Sequence, residues 1–349
     1  LSWKQSLGLA NEVLGLDIGS SHVKLVELDK GINGYTVTAV GIAAVSSGDD
    51  SESGTLAAVR ECVGSAGSKA KMAVCSVSGP EVAVRSFKFP SLPAEEMSSA
   101  VHLEAGQVCP FNVDQSSVDY QLVGSKGDNA CGVMVAATDE SIETKRQIVT
   151  EGSLNCVLMD VDGLALLNCF NELDSDHSKK KVARHSTAIL NVGNRYTILA
   201  IVSEKGLPFV RDVAYAGERI VGQIASEKNI SAQTVRNVLS GGDGSSKSVP
   251  NLSESFDRAC GKLITDVSET LRYYTAQEKN VLVEEIFVCG GFALTKGFVE
   301  LLDSKLSVKV SLWNPFDNIR YGANSGSKEF LANNGPELAV AAGLAMRSI

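Results

Sequence analysis

Leu14-Gly15-Leu16-Asp17-Ile18-Gly19-Ser20-Ser21-His22-Val23-Lys24-Leu25-Val26-Glu27-Leu28 joins one apolar strand to a second through a Gly-Ser-Ser turn. A turn of this composition can wrap a phosphate. Glycine lets the main chain approach an anion, the N–H groups and the hydroxyls of Ser20 and Ser21 donate, and Lys24 adds a cation. Asp17 can orient water around a metal ion. The phrase returns as Ile189-Leu190-Asn191-Val192-Gly193-Asn194-Arg195-Tyr196-Thr197-Ile198-Leu199, again with a polar residue two before a glycine. Both copies close on a Lys-Gly pair, Lys30-Gly31 and Lys205-Gly206. The recurrence predicts a duplicated α/β fold.

A chain of 349 residues exceeds one ordinary domain and predicts two large lobes or four small subdomains. With 44% hydrophobic and 21% charged residues it reads as globular, and its net charge of -9 argues against an extended nucleic-acid surface. The eight cysteines include no CxxC pair, and Cys75, Cys131 and Cys289 sit in apolar runs, as buried thiols of a reducing cytoplasm do. No apolar run approaches the ~20 residues of a membrane span, because Asp160 and Asp162 interrupt Val157 to Phe170. The opening Leu1-Ser2-Trp3-Lys4-Gln5-Ser6-Leu7 lacks a signal peptide's apolar core, and the missing initiator Met points to a trimmed start. The four histidines show no metal-ligand spacing, and no serine sits in a G-x-S-x-G elbow.

Strands are predicted near 12–18, 22–29, 35–42 and 72–78, with a polar loop over Ser46 to Thr55 before a helix from Leu56 to Ser65. At Val82 the pattern changes. A helix opens at Ala94-Glu95-Glu96 behind Pro93, carries Met97, Val101, Ala105 and Val108 on one face, and ends at Pro110. Strands over 117–123 and 131–137 and a helix begun by Thr138-Asp139-Glu140 complete a small inserted module. Cys156 to Asp160 rejoins the main sheet, and Gly163 to Leu173 makes a helix. Asp174 to Lys181 reads as a hinge and Gly241 to Lys247 as a flexible loop. Phe256, Cys260, Leu263, Ile264, Val267, Leu271 and Tyr274 then mark one face of a long helix.

Two strand-turn-strand phosphate loops followed by Ile286-Phe287-Val288-Cys289-Gly290-Gly291-Phe292-Ala293 resemble the actin, heat-shock chaperone and sugar kinase superfamily. Within it, Pro110-Phe111, Val118-Asp119-Tyr120-Gln121, Ala136-Ala137-Thr138, Thr270-Leu271-Arg272-Tyr273-Tyr274, Asn314-Pro315-Phe316 and Leu338 to Ala345 together resemble the type IV pilus assembly protein PilM family. The resemblance implies an actin-like (ribonuclease H-like) duplicated α/β fold, with two lobes, a cleft and an inserted α+β module. Its boundaries are read as lobe 1 over 1–81, the module over 82–152, the return of lobe 1 and the hinge over 153–182, and lobe 2 over 183–216. A small subdomain follows over 217–282, and the return of lobe 2 with the last helix over 283–349.

The resemblance also implies ATP with Mg2+ between the lobes. Asp17, Gly19, Ser20, Ser21 and Lys24 would hold the phosphates from one side, with Asp17 meeting the metal through water, and Asn191, Gly193 and Asn194 from the other. Gly290, Gly291 and Phe292 would admit the adenosine. It implies as partners the cytoplasmic tail of a PilN-like inner-membrane protein, lodged near the inserted module, and other pilus or secretion components. The chain would then be cytoplasmic, meeting the membrane only through its partner. One departure bears on turnover. Asn191 stands where the superfamily carries an aspartate, and an amide attracts a metal less and cannot act as a base. Binding with weak or absent hydrolysis is the expectation, with Asp17 and Asp160 as catalytic candidates and Asp162 beside them. An active ATPase or small-molecule kinase, and a filament former like the division protein FtsA, are the alternatives.

Overall fold

The computed structural model describes residues 13–32, 34–46, 51–126, 128–173, 185–203, 207–241, 251–278, 281–317, 319–321 and 328–347. The hinge expected over Asp174 to Lys181 and most of the Gly241 to Lys247 loop lie outside them.

The duplication is visible in strand order. In lobe 1, β1 (Val13–Ile18), β2 (His22–Gly31) and β3 (Gly34–Ala44) form an antiparallel meander. β4 (Met72–Val77) and β8 (Asn155–Val161) add in parallel on the far side of β1, giving β3-β2-β1-β4-β8. In lobe 2, β9 (His185–Val192), β10 (Thr197–Ser203) and β11 (Phe209–Val213) repeat the meander, and β12 (Leu282–Cys289) and β13 (Lys309–Leu312) repeat the parallel pair, giving β11-β10-β9-β12-β13. Central strands β1, β4 and β9 are buried on both faces, which is why they read as near-continuous apolar runs.

The inserted module is a second small core. β5 (Val82–Pro90), β7 (Asn129–Thr138) and β6 (Ser116–Lys126) pair antiparallel in the order β5-β7-β6. α2 (Ala94–Val108) lays Met97, Val101 and Ala105 on Phe87 and Met134. Val108, expected in that stripe, is 36% exposed at the helix end. The module is shorter than the sequence boundary. Thr138 caps α3 (Asp139–Glu151) by accepting from the Ser141 N–H, but the helix buries Val149 in the lobe 1 core with Val59, Leu154 and Cys75. α3 therefore belongs to lobe 1. Likewise α1 (Ser51–Ala66) starts inside the expected loop, with Glu52 in its first turn, where an acid suits the helix N-terminus.

The last segment also departs from expectation. After β13 the chain leaves lobe 2. β14 (Arg320–Tyr321) pairs in parallel with β3, and, after α9 (Lys328–Asn334), α10 (Ala339–Ala345) packs on β1 and on α4 (Asp162–Leu173). Missing side chains permit this approach. A Cβ on Gly15 would lie 2.0 Å from the Ala341 carbonyl oxygen, and one on Gly343 would lie 1.9 Å from that of Ala165. Lobe 1 is thus assembled from both ends of the described chain, with 185–312 set into it. The remaining helices of lobe 2, α5 (Gly217–Lys228), α6 (Ala232–Leu239), α7 (Ser253–Gln277) and α8 (Phe298–Lys305), cover its sheet. The predicted face of α7 is buried there from Phe256 to Tyr274, with Ile264 partly exposed.

Candidate functional site

The β1–β2 register places Asp17 opposite Lys24, and their side chains meet at 2.9 Å, each 12% exposed. The turn between them closes by a Gly19 N–H bond to the His22 carbonyl at 3.1 Å. Its tightness explains the glycine. A Cβ on Gly19 would sit 2.8 Å from that carbonyl oxygen and 3.1 Å from the Lys24 Nζ, filling the cradle beside the ammonium. Desolvation pulls the Lys24 pKa down, but Asp17, helped by the charges of Glu337 and Asp162, outweighs it, so Lys24 titrates above its ordinary value and stays charged.

The second turn sits across the cleft. Gly193 closes it on Tyr196 at 3.1 Å, and the Gly193 and Asn194 carbonyls accept from the first N–H groups of α5, at Gly217 and Glu218. The two tips touch, the Asn194 Nδ2 donating to the Ser20 Oγ at 3.2 Å. The third turn begins at Gly290, whose φ of +92° favours glycine, and continues as a 3-10 turn over Gly291–Leu294.

Three of the sequence-derived residues are engaged elsewhere. The Asn191 Oδ1 lies 2.4 Å from where a Cβ on Gly290 would be and accepts from the Cys289 Sγ at 3.9 Å, so its amide braces the third turn. The Phe292 ring packs edge-on against Phe298 at 5.1 Å and beside Phe256, leaving its backbone as what it offers an adenosine. Asp160 is bound by both sides of the Arg347 guanidinium, with Nη2 at 2.8 Å, and its residue is 8% exposed. It is a structural partner for the end of α10 rather than a free carboxylate in the cleft.

The neighbouring Asp162 is placed differently. Burial, reinforced by the Asp17 charge, pushes its pKa up to about 7. Lys145, on α3, donates to the Ile18 carbonyl at the start of the first turn. Burial pulls its pKa down, although Asp162 and Asp17 oppose that. Neither Lys145 nor Glu337 was legible as a site residue. Each reaches the cleft from a helix or turn whose packing only the tertiary fold decides.

Among the described residues no three of His, Cys, Asp and Glu converge on a point that could hold a bare metal ion. A magnesium ion that arrives hydrated on phosphates needs no such cluster, and Asp17, paired with Lys24 at the first turn, is the carboxylate that would meet its water. Next to the second turn, whose Tyr196 ring comes within 2.9 Å of where a Cβ on Gly79 would be, the Gly79 N–H donates to the Asp212 Oδ2 at 2.7 Å, tying the β4–β5 turn to lobe 2. Beside this tie lies a cavity of about 360 Å³ walled by Val82, Val84 and Arg85 of the module, Val161 of lobe 1, and Val210 and Arg211 of lobe 2.

A family model described as type IV pilus assembly protein PilM matches residues 15–349. Among solved structures, the chain is similar to one titled PilM-PilN type IV pilus biogenesis complex, at 22% identity and a TM-score of 0.82, covering 96% of this chain and 98% of that one. It is also similar to the ethanolamine utilization protein EutJ from Carboxydothermus hydrogenoformans, with 16% identity, a TM-score of 0.53 and coverage of 96% and 89%. MreB5 of Spiroplasma citri bound to AMPPNP matches at 12% identity, a TM-score of 0.50 and coverage of 96% and 95%. The fold is the actin-like one.

Proposed function

The chain belongs to the type IV pilus assembly protein PilM family, and from that premise we propose that it is a nucleotide-binding scaffold of a type IV pilus or related secretion assembly. It binds ATP with magnesium between its lobes and holds the N-terminal cytoplasmic tail of a PilN-like inner-membrane partner at the inserted module. The observation that carries the nucleotide reading is the meeting of the two hairpin tips through Asn194 and Ser20, in the turn whose Gly19 leaves room beside a charged and nearly buried Lys24. N–H groups from two directions and a fixed ammonium suit a polyphosphate.

The tail reading rests on the cavity beside Asp212. β5 and β11 are both sheet edges at this cavity, so an extended peptide laid along one of them finds main-chain partners, while the valines of the wall take its apolar side chains. No helix among the described residues is long and apolar enough to cross a membrane, which agrees with attachment through a partner. Calorimetric titration with Mg-ATP, and separately with a synthetic partner tail, tests both parts. Val82→Asp is expected to abolish tail binding and leave ATP binding intact; loss of both, or of neither, refutes the division of labour.

Slow hydrolysis is the second reading, and Asp162 favours it. A carboxylate titrating near neutral pH beside the first turn can accept a proton from water. Phosphate release by Asp162→Asn should then fall about a hundredfold from whatever the parent shows.

A further inference from the structure

With Asn191 committed to the third turn, the cleft holds two sequence-expected acids, Asp17 and Asp162. The structure brings in another. Glu337 lies on the 3-10 turn Gly335–Leu338, which is fastened to the third glycine turn by a Gly290 N–H bond to the Pro336 carbonyl at 2.9 Å. The turn is also wedged against Asn314, whose Oδ1 lies 2.0 Å from where a Cβ on Gly335 would be. Asn314 itself donates to the Leu331 carbonyl at 2.9 Å and accepts from the Phe316 N–H at 3.0 Å. The Glu337 Oε2 ends 3.3 Å from the position of a Cβ on Gly291, so the carboxylate is carried on a fixed backbone at the adenosine turn. Burial raises its pKa, and the opposing attraction comes from Lys24, the phosphate-turn lysine. Among the described residues it makes no ion pair. A largely desolvated carboxylate without a partner is an unfavourable arrangement unless a ligand completes it.

We propose that Glu337 is a further acid of the nucleotide cleft, one that serves the metal: with Asp17 it accepts hydrogen bonds from the water shell of the divalent cation that accompanies ATP, and without that cation it repels the phosphates. This rests on the nucleotide reading above and makes Glu337 the positioning residue through which the cleft discriminates Mg-ATP from metal-free ATP. The two halves have opposite signs. A carboxylate that orders the cation's water strengthens Mg-ATP binding, and the same charge beside bare phosphates weakens binding of the free nucleotide.

The test is calorimetric titration of the full chain with ATP, once with magnesium and once with EDTA, comparing the parent, Glu337→Gln and Glu337→Asp. Glu337→Gln is expected to weaken Mg-ATP about fivefold and to tighten metal-free ATP about as much. Glu337→Asp, which keeps the charge, should preserve most of the parent's discrimination. Loss of packing alone would move both affinities of Glu337→Gln in one direction, so a parallel shift, or no shift, overturns the assignment. Glu337→Asp guards against a folding defect. If Glu337→Gln does not fold, full loss of discrimination in a folded Glu337→Asp, with magnesium and metal-free affinities equal, overturns the assignment and retained discrimination supports it. A parent that binds ATP in neither condition refutes the nucleotide reading itself, which is a separate result.

Discussion

Replacing Arg347 with alanine should destabilise the protein through a residue 187 positions earlier in the chain. The guanidinium holds both oxygens of Asp160, whose side chain is 7% exposed while that of Arg347 is 29% exposed. Removing one member of a pair this well buried leaves an uncompensated carboxylate, at a cost of about 3 kcal/mol. Removing both spares that desolvation, so the double variant Asp160→Ala/Arg347→Ala should cost only about 1–2 kcal/mol. At roughly 2 °C per kcal/mol for a chain of this size, Arg347→Ala should melt about 6 °C below the parent and the double variant about 3 °C below. Melting curves of the parent, the two single variants and the double variant complete the cycle. Strictly additive losses would refute the coupling. If Asp160→Asn also kept its melting temperature but lost phosphate release, Asp160 would be a catalytic group and the assignment of that task to Asp162 would be wrong.

Lys24→Met should lower ATP affinity ten- to a hundredfold by calorimetry, since a charge-assisted contact to phosphate is worth about 1.5–3 kcal/mol. Asn191→Asp should leave the magnesium dependence of ATP binding unchanged, because the amide faces Gly290 and Cys289; an increased dependence would show that the position meets the metal. Gly15→Val should prevent α10 from docking and give insoluble protein, read by expression and circular dichroism, because its side chain would collide with backbone that has nowhere to go. Asp212 has its pKa pushed up by burial to about 6, above the ordinary carboxylate value, so the folded state holds the extra proton and stability falls as pH rises from about 4 to 6. Asp212→Asn keeps an acceptor for the Gly79 N–H and should remove that slope, gaining about 2 kcal/mol above pH 6 in melting experiments.

The hairpins were legible because their chemistry is local. Two strands joined by a three-residue turn fix their own register, so the pairing of Asp17 with Lys24 is decided within the hairpin itself. The strand-order repeat followed from the recurrence of that phrase. What could not be read was anything decided by a partner far away in sequence. Asp160 and Asp162 are equivalent in pattern, and only the arrival of Arg347, 187 residues later, separates the structural acid from the one left in the cleft. The end of the module was obscured for the same reason. Thr138-Asp139-Glu140 announces a helix correctly, but which core that helix feeds depends on where Val149 lands. Glu337 was hidden because its turn reaches the site by crossing between lobes.

That crossing sets an order of events during synthesis. The stretch from β9 to β13 is continuous and can close its own sheet as soon as it leaves the ribosome, whereas the face of β1 around Gly15 has no cover until α10 emerges. At about 10 residues per second the opening strands wait roughly half a minute with apolar surface uncovered. The lobe whose strands are translated first is therefore completed after the one inserted into it, and a stall or frameshift before the α10 codons strikes that first lobe, leaving a folded 185–312 body on an open sheet that chaperones and proteases can recognise.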